Sequence, residues 1–354
     1  MKHESPGNEV TIREVGKRAG VSPATVGRVI GGYGKVSEPT RQRVLEAIRQ
    51  LDYHPNTIAQ SMKGKQRKSV GMIVSDICNP FFGMIARAVD DTLIKYGYNL
   101  VICNTDDGID KEASYLKTLT EKRVDGVLAC TACEVERKIP RPVRKFYLET
   151  PTVFIDREAE GIDVPVIQAD NFGGAYEAVV HLIQLGHERI AIVAGGSMVS
   201  SIHQRLQGYM KALQDFGLQF RDDLVKLGRL LGVESGAYAA RELLNMPAAE
   251  RPTAIVGLNN LMTTGVLLAI REAGMTIPDD ISVIGWDDFD LAQVLSPPLT
   301  VVTQPTYSIG SIAAEHLIAL LERQRSYRQA NDRKIILKTE LVIRESCTSP
   351  KAPK

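Results

Sequence analysis

The sequence predicts an α/β protein in two parts, an N-terminal helix-turn-helix headpiece and a two-lobed core of parallel sheets. Three observations carry this. Apolar residues between Thr11 and Leu51 recur at helical spacing in three short runs, with about two residues separating the first two. From Ser69 onward short β-rich runs alternate with helical patterns, and about ten such units are too many for one doubly wound sheet. Charge divides at the same place: residues 1–68 hold 13 Lys and Arg against 6 Asp and Glu, a surplus of +7, while the remaining 286 hold 30 against 36, or −6. The expected organisation is a headpiece over 1–52, a hinge helix and basic linker over 53–68, and a core over 69–354.

At 354 residues the chain is more than twice the ~150-residue prior for one domain. Its 44% apolar and 24% charged content excludes disordered and low-complexity classes. No stretch approaches the ~18 uninterrupted apolar residues of a membrane span. The start MKHESPGNEV lacks the apolar core of a signal peptide, so a cytoplasmic location is expected. Cys78, Cys103, Cys130, Cys133 and Cys347 are an odd, scattered set that reads as free thiols. The CTAC run lacks a second ligand pair, so buried thiols are expected there rather than zinc, and no cofactor or metal is anticipated.

Thr11 with Glu14 forms a capping box that starts the first helix, whose inner face is Ile12, Val15 and Ala19; Gly20 supplies the stop. Ser22 caps a second helix beginning at Pro23, with Thr25, Val26 and Val29 facing inward. Ser37 opens a third, with Val44, Leu45, Ile48 and Leu51 packing over the first two. In such a motif the second helix enters the major groove of DNA, where Pro23 and Ala24 offer only apolar contact. Arg28 can grip guanine bidentately, or instead hold a phosphate. The +7 surplus suits a polyanion partner.

Residues 53–69, YHPNTIAQSMKGKQRKS, start a two-turn helix at Pro55 and Asn56 that Gly64 ends. A helix that short is marginal alone. Ile58 and Met62 share a face beside Lys63, Lys65, Arg67 and Lys68, the chemistry of a minor-groove wedge; a flexible basic linker is the alternative.

The spans VTIREVGKRAGVSPATVGRVI (10–30) and VSEPTRQRVLEAIRQLDYHPNTIAQSMKG (36–64), together with the core C-terminal to them, resemble the lactose/galactose repressor family over nearly the whole chain. The resemblance implies a homodimer binding a pseudo-palindromic operator, with paired hinge helices opening the central minor groove. It places DNA contacts at Thr11, Ser22, Pro23, Ala24, Thr25 and Arg28, and at Asn56, Ala59 and Met62 in the hinge, Met62 standing where the family has a leucine lever. Gly27 departs from the family's usual serine, which puts one phosphate contact in doubt.

In the core the runs SVGMIVS, NLVICN, VDGVLAC, TVFID, RIAIVAG, TAIVGL and ISVIGW read as strands. Ligands of such sheets bind beyond the carboxyl ends of strands. There stand Asp76, followed by NPFF at Asn79–Phe82, then Asp156 with Arg157, then Asn259 and Asp287. Each alone can equally be a helix cap or loop residue. Together, carboxylates, amides and guanidinium forks grip vicinal hydroxyls, and Phe81 or Phe82 offers an apolar face for a sugar ring. Trp286 directly precedes Asp287 and is expected beside the crevice.

This core is similar to the periplasmic binding proteins of ribose and galactose type, so a two-lobed, periplasmic-binding-protein-like fold is implied. That resemblance adds Arg205 and Gln304 to Phe81, Phe82, Asp156, Arg157, Asn259 and Asp287 as ligand contacts, and the set looks most like the ribose type. Asn260, where the family mostly has aspartate, and the leucines of LGRLLGVESG (227–236) are departures.

Enzyme readings find no support. No GxGxxG opens a helix after a strand, GGYGKV lacks the P-loop spacing, and no HExxH occurs. His181, His187, His203 and His316 have no nucleophile at motif spacing, although His203 lies two residues from Arg205. The function expected is a ligand-responsive, DNA-binding repressor of a carbohydrate operon released by a small sugar. The alternatives are a corepressor-dependent regulator, as in the purine branch of the family, and a sugar-binding protein without a DNA role.

Overall fold

The computed structural model describes residues 10–31, 33–53, 67–196, 198–228, 232–322 and 333–351. The chain forms two compact units, Met1–Arg67 and Lys68–Lys354.

In the first unit, α1 (Ile12–Ala19), α2 (Pro23–Gly31) and α3 (Glu38–Gln50) surround a core of Val15, Ala19, Val26, Val29, Val44 and Ala47. The capping box forms, with Thr11 N–H donating to Glu14 Oε2 at 2.6 Å and Thr11 Oγ1 accepting the Glu14 amide at 3.4 Å. Gly20 ends α1 in the left-handed region, φ 68°, which suits a residue without Cβ. Gly16 is required by close approach, because a Cβ there would sit 2.8 Å from the Val21 carbonyl oxygen. One expectation needs correction. Leu45 is 40% exposed and Ala47 packs inward instead, since residues 44, 47, 48 and 51 share one face and residue 45 lies about 100° from Val44. Ser37 stands at the N-cap of α3 as expected, its hydroxyl donating to Thr40 Oγ1 at 2.9 Å.

In the second unit two six-stranded sheets share one plan. The first lobe contains β1 (Ser69–Val74), α4 (Pro80–Leu93), β2 (Asn99–Asn104), α5 (Ile109–Lys122), β3 (Gly126–Ala129), α6 (Arg141–Glu149), β4 (Thr152–Ile155) and β5 (Val166–Ala169). The second contains α7 (Asn171–Gln184), β6 (Ile190–Ala194), α8 (Ser200–Asp215), β7 (Val225–Leu227), α9 (Val233–Leu244), β8 (Ala254–Gly257), α10 (Asn260–Glu272), β9 (Ser282–Trp286) and β10 (Thr300–Thr303). The chain then returns to the first lobe with α11 (Thr306–Leu321) and β11 (Lys334–Leu337), and ends in the second with β12 (Glu340–Val342). Strand order is β2-β1-β3-β4-β5-β11 in one sheet and β7-β6-β8-β9-β10-β12 in the other. All pairings are parallel except β10 with β12.

Each sheet is covered on both faces, as near-continuous apolar parallel strands demand. In the first lobe α4 and α11 pack on one face around Met72, Ile85, Leu128 and Leu317, and α5 and α6 on the other around Leu119, Tyr147 and Phe154. A Cβ on Gly310 would lie 2.5 Å from the Ile85 carbonyl, so glycine sets the closeness of α11 to α4. The second lobe repeats the pattern with α7 and α8 on one face and α9 and α10 on the other. The cysteines are free, with Cys103, Cys130 and Cys133 buried. His187 is also buried, its ring nitrogens meeting Thr253 Oγ1 at 2.8 Å and the Thr348 carbonyl at 2.9 Å. No helix among the described residues is long and apolar enough to cross a membrane.

Candidate functional site

The headpiece presents the start of α2 to solvent: Ser22, Pro23, Ala24 and Arg28 are exposed. Ser22 Oγ also accepts the Thr25 amide at 3.2 Å, and half-buried Thr25 meets the same oxygen through its hydroxyl at 3.0 Å. Thr11 is engaged in its capping box. A Cβ on Gly27 would meet only Tyr33 Oη at 3.9 Å and Ile12 Cδ1 at 4.0 Å, so packing does not impose glycine there. Asn56, Ala59 and Met62 lie outside the described residues.

In the second unit a cavity of about 560 Å³, counting space open to solvent, lies between the lobes at the carboxyl ends of their strands. Asp76, Phe81, Phe82, Asp156, Arg157, Arg205, Asn259, Asp287 and Gln304 line it. Trp286 does not, and this corrects the sequence reading: as the last residue of β9 it is fully buried in the core beneath α7 and α8. It reaches the cavity only through Arg205, whose guanidinium carbon stacks 4.0 Å from the ring centroid.

Asp156 follows β4 and Asp287 follows β9, strands that hold the same place in the two sheets. Both are left-handed, at φ 65° and 67°. Such backbone is uncommon outside glycine, concentrates where the surroundings over-determine it, and here turns two carboxylates out of buried strands.

The two arginines sit differently. Arg157 pairs through Nη1 with Asp107 Oδ1, and its Nε lies 3.4 Å from Asp156 Oδ2. Burial works against its charge, but Asp107 and Asp156 more than offset it, so its pKa is raised. Arg205, on α8, donates from Nε to Asn171 Oδ1 at 2.8 Å and from Nη1 to the Leu258 carbonyl. With neutral acceptors only, burial dominates and lowers its pKa, Asp156 and Asp287 offsetting part of the effect. Burial likewise raises the Asp287 pKa against Arg205 and against the Gln304 amide that donates to it at 2.6 Å.

Asn259 caps α10 by accepting the Met262 amide at 2.7 Å, and Asp76 turns the chain ahead of α4 by accepting the Cys78 amide at 2.9 Å. The sequence reading missed Asp107, Ser75 and Ser201 as lining residues, and Asn79 except as the start of NPFF. Asp107 stands just past β2, where the strand-end rule points; Ser201 comes from the start of α8 and carried no signal. Among the described residues no cluster of His, Cys, Asp and Glu could hold a metal ion.

Several buried polar atoms around the cavity lack a hydrogen-bond partner: the acceptors Asp156 Oδ1, Asp107 Oδ2 and Gln304 Oε1, and the donor Arg157 Nε. Each such atom costs about 1–3 kcal/mol, so the arrangement suits a molecule that both donates and accepts.

A helix-turn-helix unit joined to a two-lobed core with a polar cavity between its lobes defines a DNA-binding regulator that responds to a small molecule. Residues 11–56 match the family described as bacterial regulatory proteins, lacI family, and residues 67–343 match the periplasmic binding proteins and sugar binding domain of the LacI family. The HTH-type transcriptional repressor PurR of Photobacterium profundum is 36% identical over 336 residues, covering 95% of this chain and 98% of that protein. The lac repressor dimer bound to operator and the anti-inducer ONPF superposes with a TM-score of 0.83 at 27% identity, covering 96% of this chain and all of that one. A LacI family regulator from Enterococcus faecium with bound ribose does so with a TM-score of 0.67 at 28% identity, covering 80% of this chain and all of that one. The chain belongs to the LacI family of transcriptional regulators and is not an enzyme.

Proposed function

We propose that this protein is a homodimeric, cytoplasmic repressor of a carbohydrate uptake or catabolism operon, and that a small neutral sugar, an aldopentose first, releases it from a pseudo-palindromic operator. The observation that carries the reading is the cavity's charge and hydrogen-bond inventory. Four aspartates, Asp76, Asp107, Asp156 and Asp287, stand against two arginines, and Arg157 is already neutralised within the protein. An anionic sugar acid or phosphate would bring its charge into a cavity with a surplus of carboxylates, and its carboxylate or phosphate oxygens, unlike hydroxyls, would offer no donor to the unpartnered oxygens of Asp156 and Gln304. Sugar hydroxyls donate and accept at once, and Phe81 and Phe82, packed edge to face at 4.9 Å, supply the apolar wall. The ribose bound to the Enterococcus relative favours a pentose.

Calorimetry with D-ribose, a sugar acid and a sugar phosphate tests the ligand class, and operator binding with and without each tests the response. Saturable ribose binding with loss of operator affinity is expected. Tight binding of the acid or phosphate with none of ribose overturns the class, and ribose tightening operator binding reverses the sign. On the DNA side, operator affinity is expected to fall with salt at a log-log slope of about −0.9 per phosphate contacted. Arg28→Ala is expected to lose about 1–3 kcal/mol of discrimination at one base pair per half-site. A uniform loss over all sequences reassigns Arg28 to a phosphate.

A further inference from the structure

Asn79 and Asn260 are 181 positions apart in sequence, sit on opposite lobes and are both buried where the lobes meet. Their side-chain amides pair reciprocally: Asn79 Nδ2 donates to Asn260 Oδ1 at 3.1 Å, and Asn260 Nδ2 donates to Asn79 Oδ1 at 2.8 Å. Each residue is fastened to its own lobe. Asn79 caps α4 by accepting the Phe81 amide at 3.0 Å, and the Asn260 backbone amide bonds the Asp287 carboxylate. The pair therefore ties the first turn of α4 to the first turn of α10 and to the carboxylate at the end of β9.

We propose that this amide pair is a latch that holds the lobes closed without a ligand, making Asn79 and Asn260 positioning residues that set how much effector closure requires. When the lobes part, both buried hydrogen bonds break. An aspartate at position 260 would keep only one of the two bonds, because a carboxylate cannot donate. A latch of this kind acts on the closed population and not on any one sugar, so losing it through Asn260, which does not line the cavity, lowers affinity for every ligand by the same factor and leaves selectivity unchanged.

The consequence for effector affinity rests on the sugar-responsive reading above; the closing experiment does not. Elsewhere along the cleft the Val135 amide donates to the Met198 carbonyl of the other lobe at 2.8 Å, beside an antiparallel bridge between Glu134 and Val199. Exchange of the Val135 amide with solvent deuterium therefore reads closure directly, with no ligand or DNA added. In the full-length protein, Asn260→Ala is expected to speed exchange in the peptide containing Val135 by about tenfold, the worth of two neutral hydrogen bonds. Asn79→Ser, which keeps a cap on α4, is expected to do the same, and the double variant to add nothing further. Peptides from β1 and β6 serve as controls for global unfolding. Unchanged exchange at Val135 in both single variants, additive effects in the double variant, or an unprotected Val135 in the parent protein overturns the latch. Failure of every sugar to bind overturns the functional reading and leaves this result standing.

Discussion

Each lobe brings one buried arginine to the cavity, and the two are held in opposite ways. In the first lobe Arg157 is locked between Asp107 and Asp156, so its charge is cancelled by the protein itself. In the second, Arg205 rests on a tryptophan face and two neutral oxygens, with Asp287 bonded to Gln304. The same strand-end geometry thus yields a preformed ion network on one side and an under-compensated set on the other. A ligand can meet unpartnered oxygens on both sides, those of Asp156 and Asp107 in the first set and of Gln304 in the second, but only the second also holds an arginine without an ion-pair partner.

The largest test of that contrast is stability. Arg157→Met leaves Asp107 and Asp156 buried without their cation and is expected to cost about 3–5 kcal/mol in urea unfolding, the usual result of breaking a buried pair. Arg205→Met removes bonds to neutral acceptors and is expected to cost about 1–3 kcal/mol, while removing more of the sugar affinity. Equal losses from the two substitutions would erase the distinction.

Next in size is Asp287→Asn. Burial raises the Asp287 pKa above 3.8, so the stability linked to this group is present below 3.8 and is lost as pH rises through the folded value. At neutral pH the amide should then stabilise the fold by about 1 kcal/mol and weaken sugar binding at least about tenfold, a trade of function against stability. Asp156→Asn should destabilise instead, because Arg157 loses a partner. Melting temperatures that move in the same direction for both would count against the two-sided picture.

The smallest effect is a pH slope from the second lobe. Burial lowers the His187 pKa below 6.5, partly offset by the Thr348 carbonyl. A depressed pKa means stability present above pH 6.5 and lost as pH falls through the folded value. Unfolding free energies between pH 8 and 5 should decline in the parent protein and decline less in His187→Gln.

How much of this was legible in the sequence varies with the physics. Strand ends were readable because a run of β-branched residues stopping at Asp, Asn or Arg marks both the strand and the residue it delivers, as at Asp156 and Asp287. Trp286 was misjudged by one position: the left-handed turn at Asp287 sends the carboxylate into the cavity and leaves the indole on the core face. Edge strands such as β7, three residues long, and β11, with alternate residues exposed, carry too weak a pattern to be recognised. The Asn79–Asn260 pair was invisible, since nothing local in either segment encodes a partner on another lobe. The wedge at Met62 lies outside the described residues.

The three passages of the chain between lobes have a consequence for how the protein is made. Residues 171–303 form most of the second lobe as one continuous stretch, but the first lobe draws α11 and β11 from beyond it. During synthesis the second lobe can gather most of its sheet while the first still lacks the helix that covers β3, β4 and β5. The lobe that emerges first thus waits until most of the second has been made, the second is itself closed only by β12, and both walls of the ligand cavity are complete only when β12 has left the ribosome. Nascent chains stalled before residue 306 should therefore expose the apolar face of α4 and depend on chaperones, whereas chains released after β12 should not.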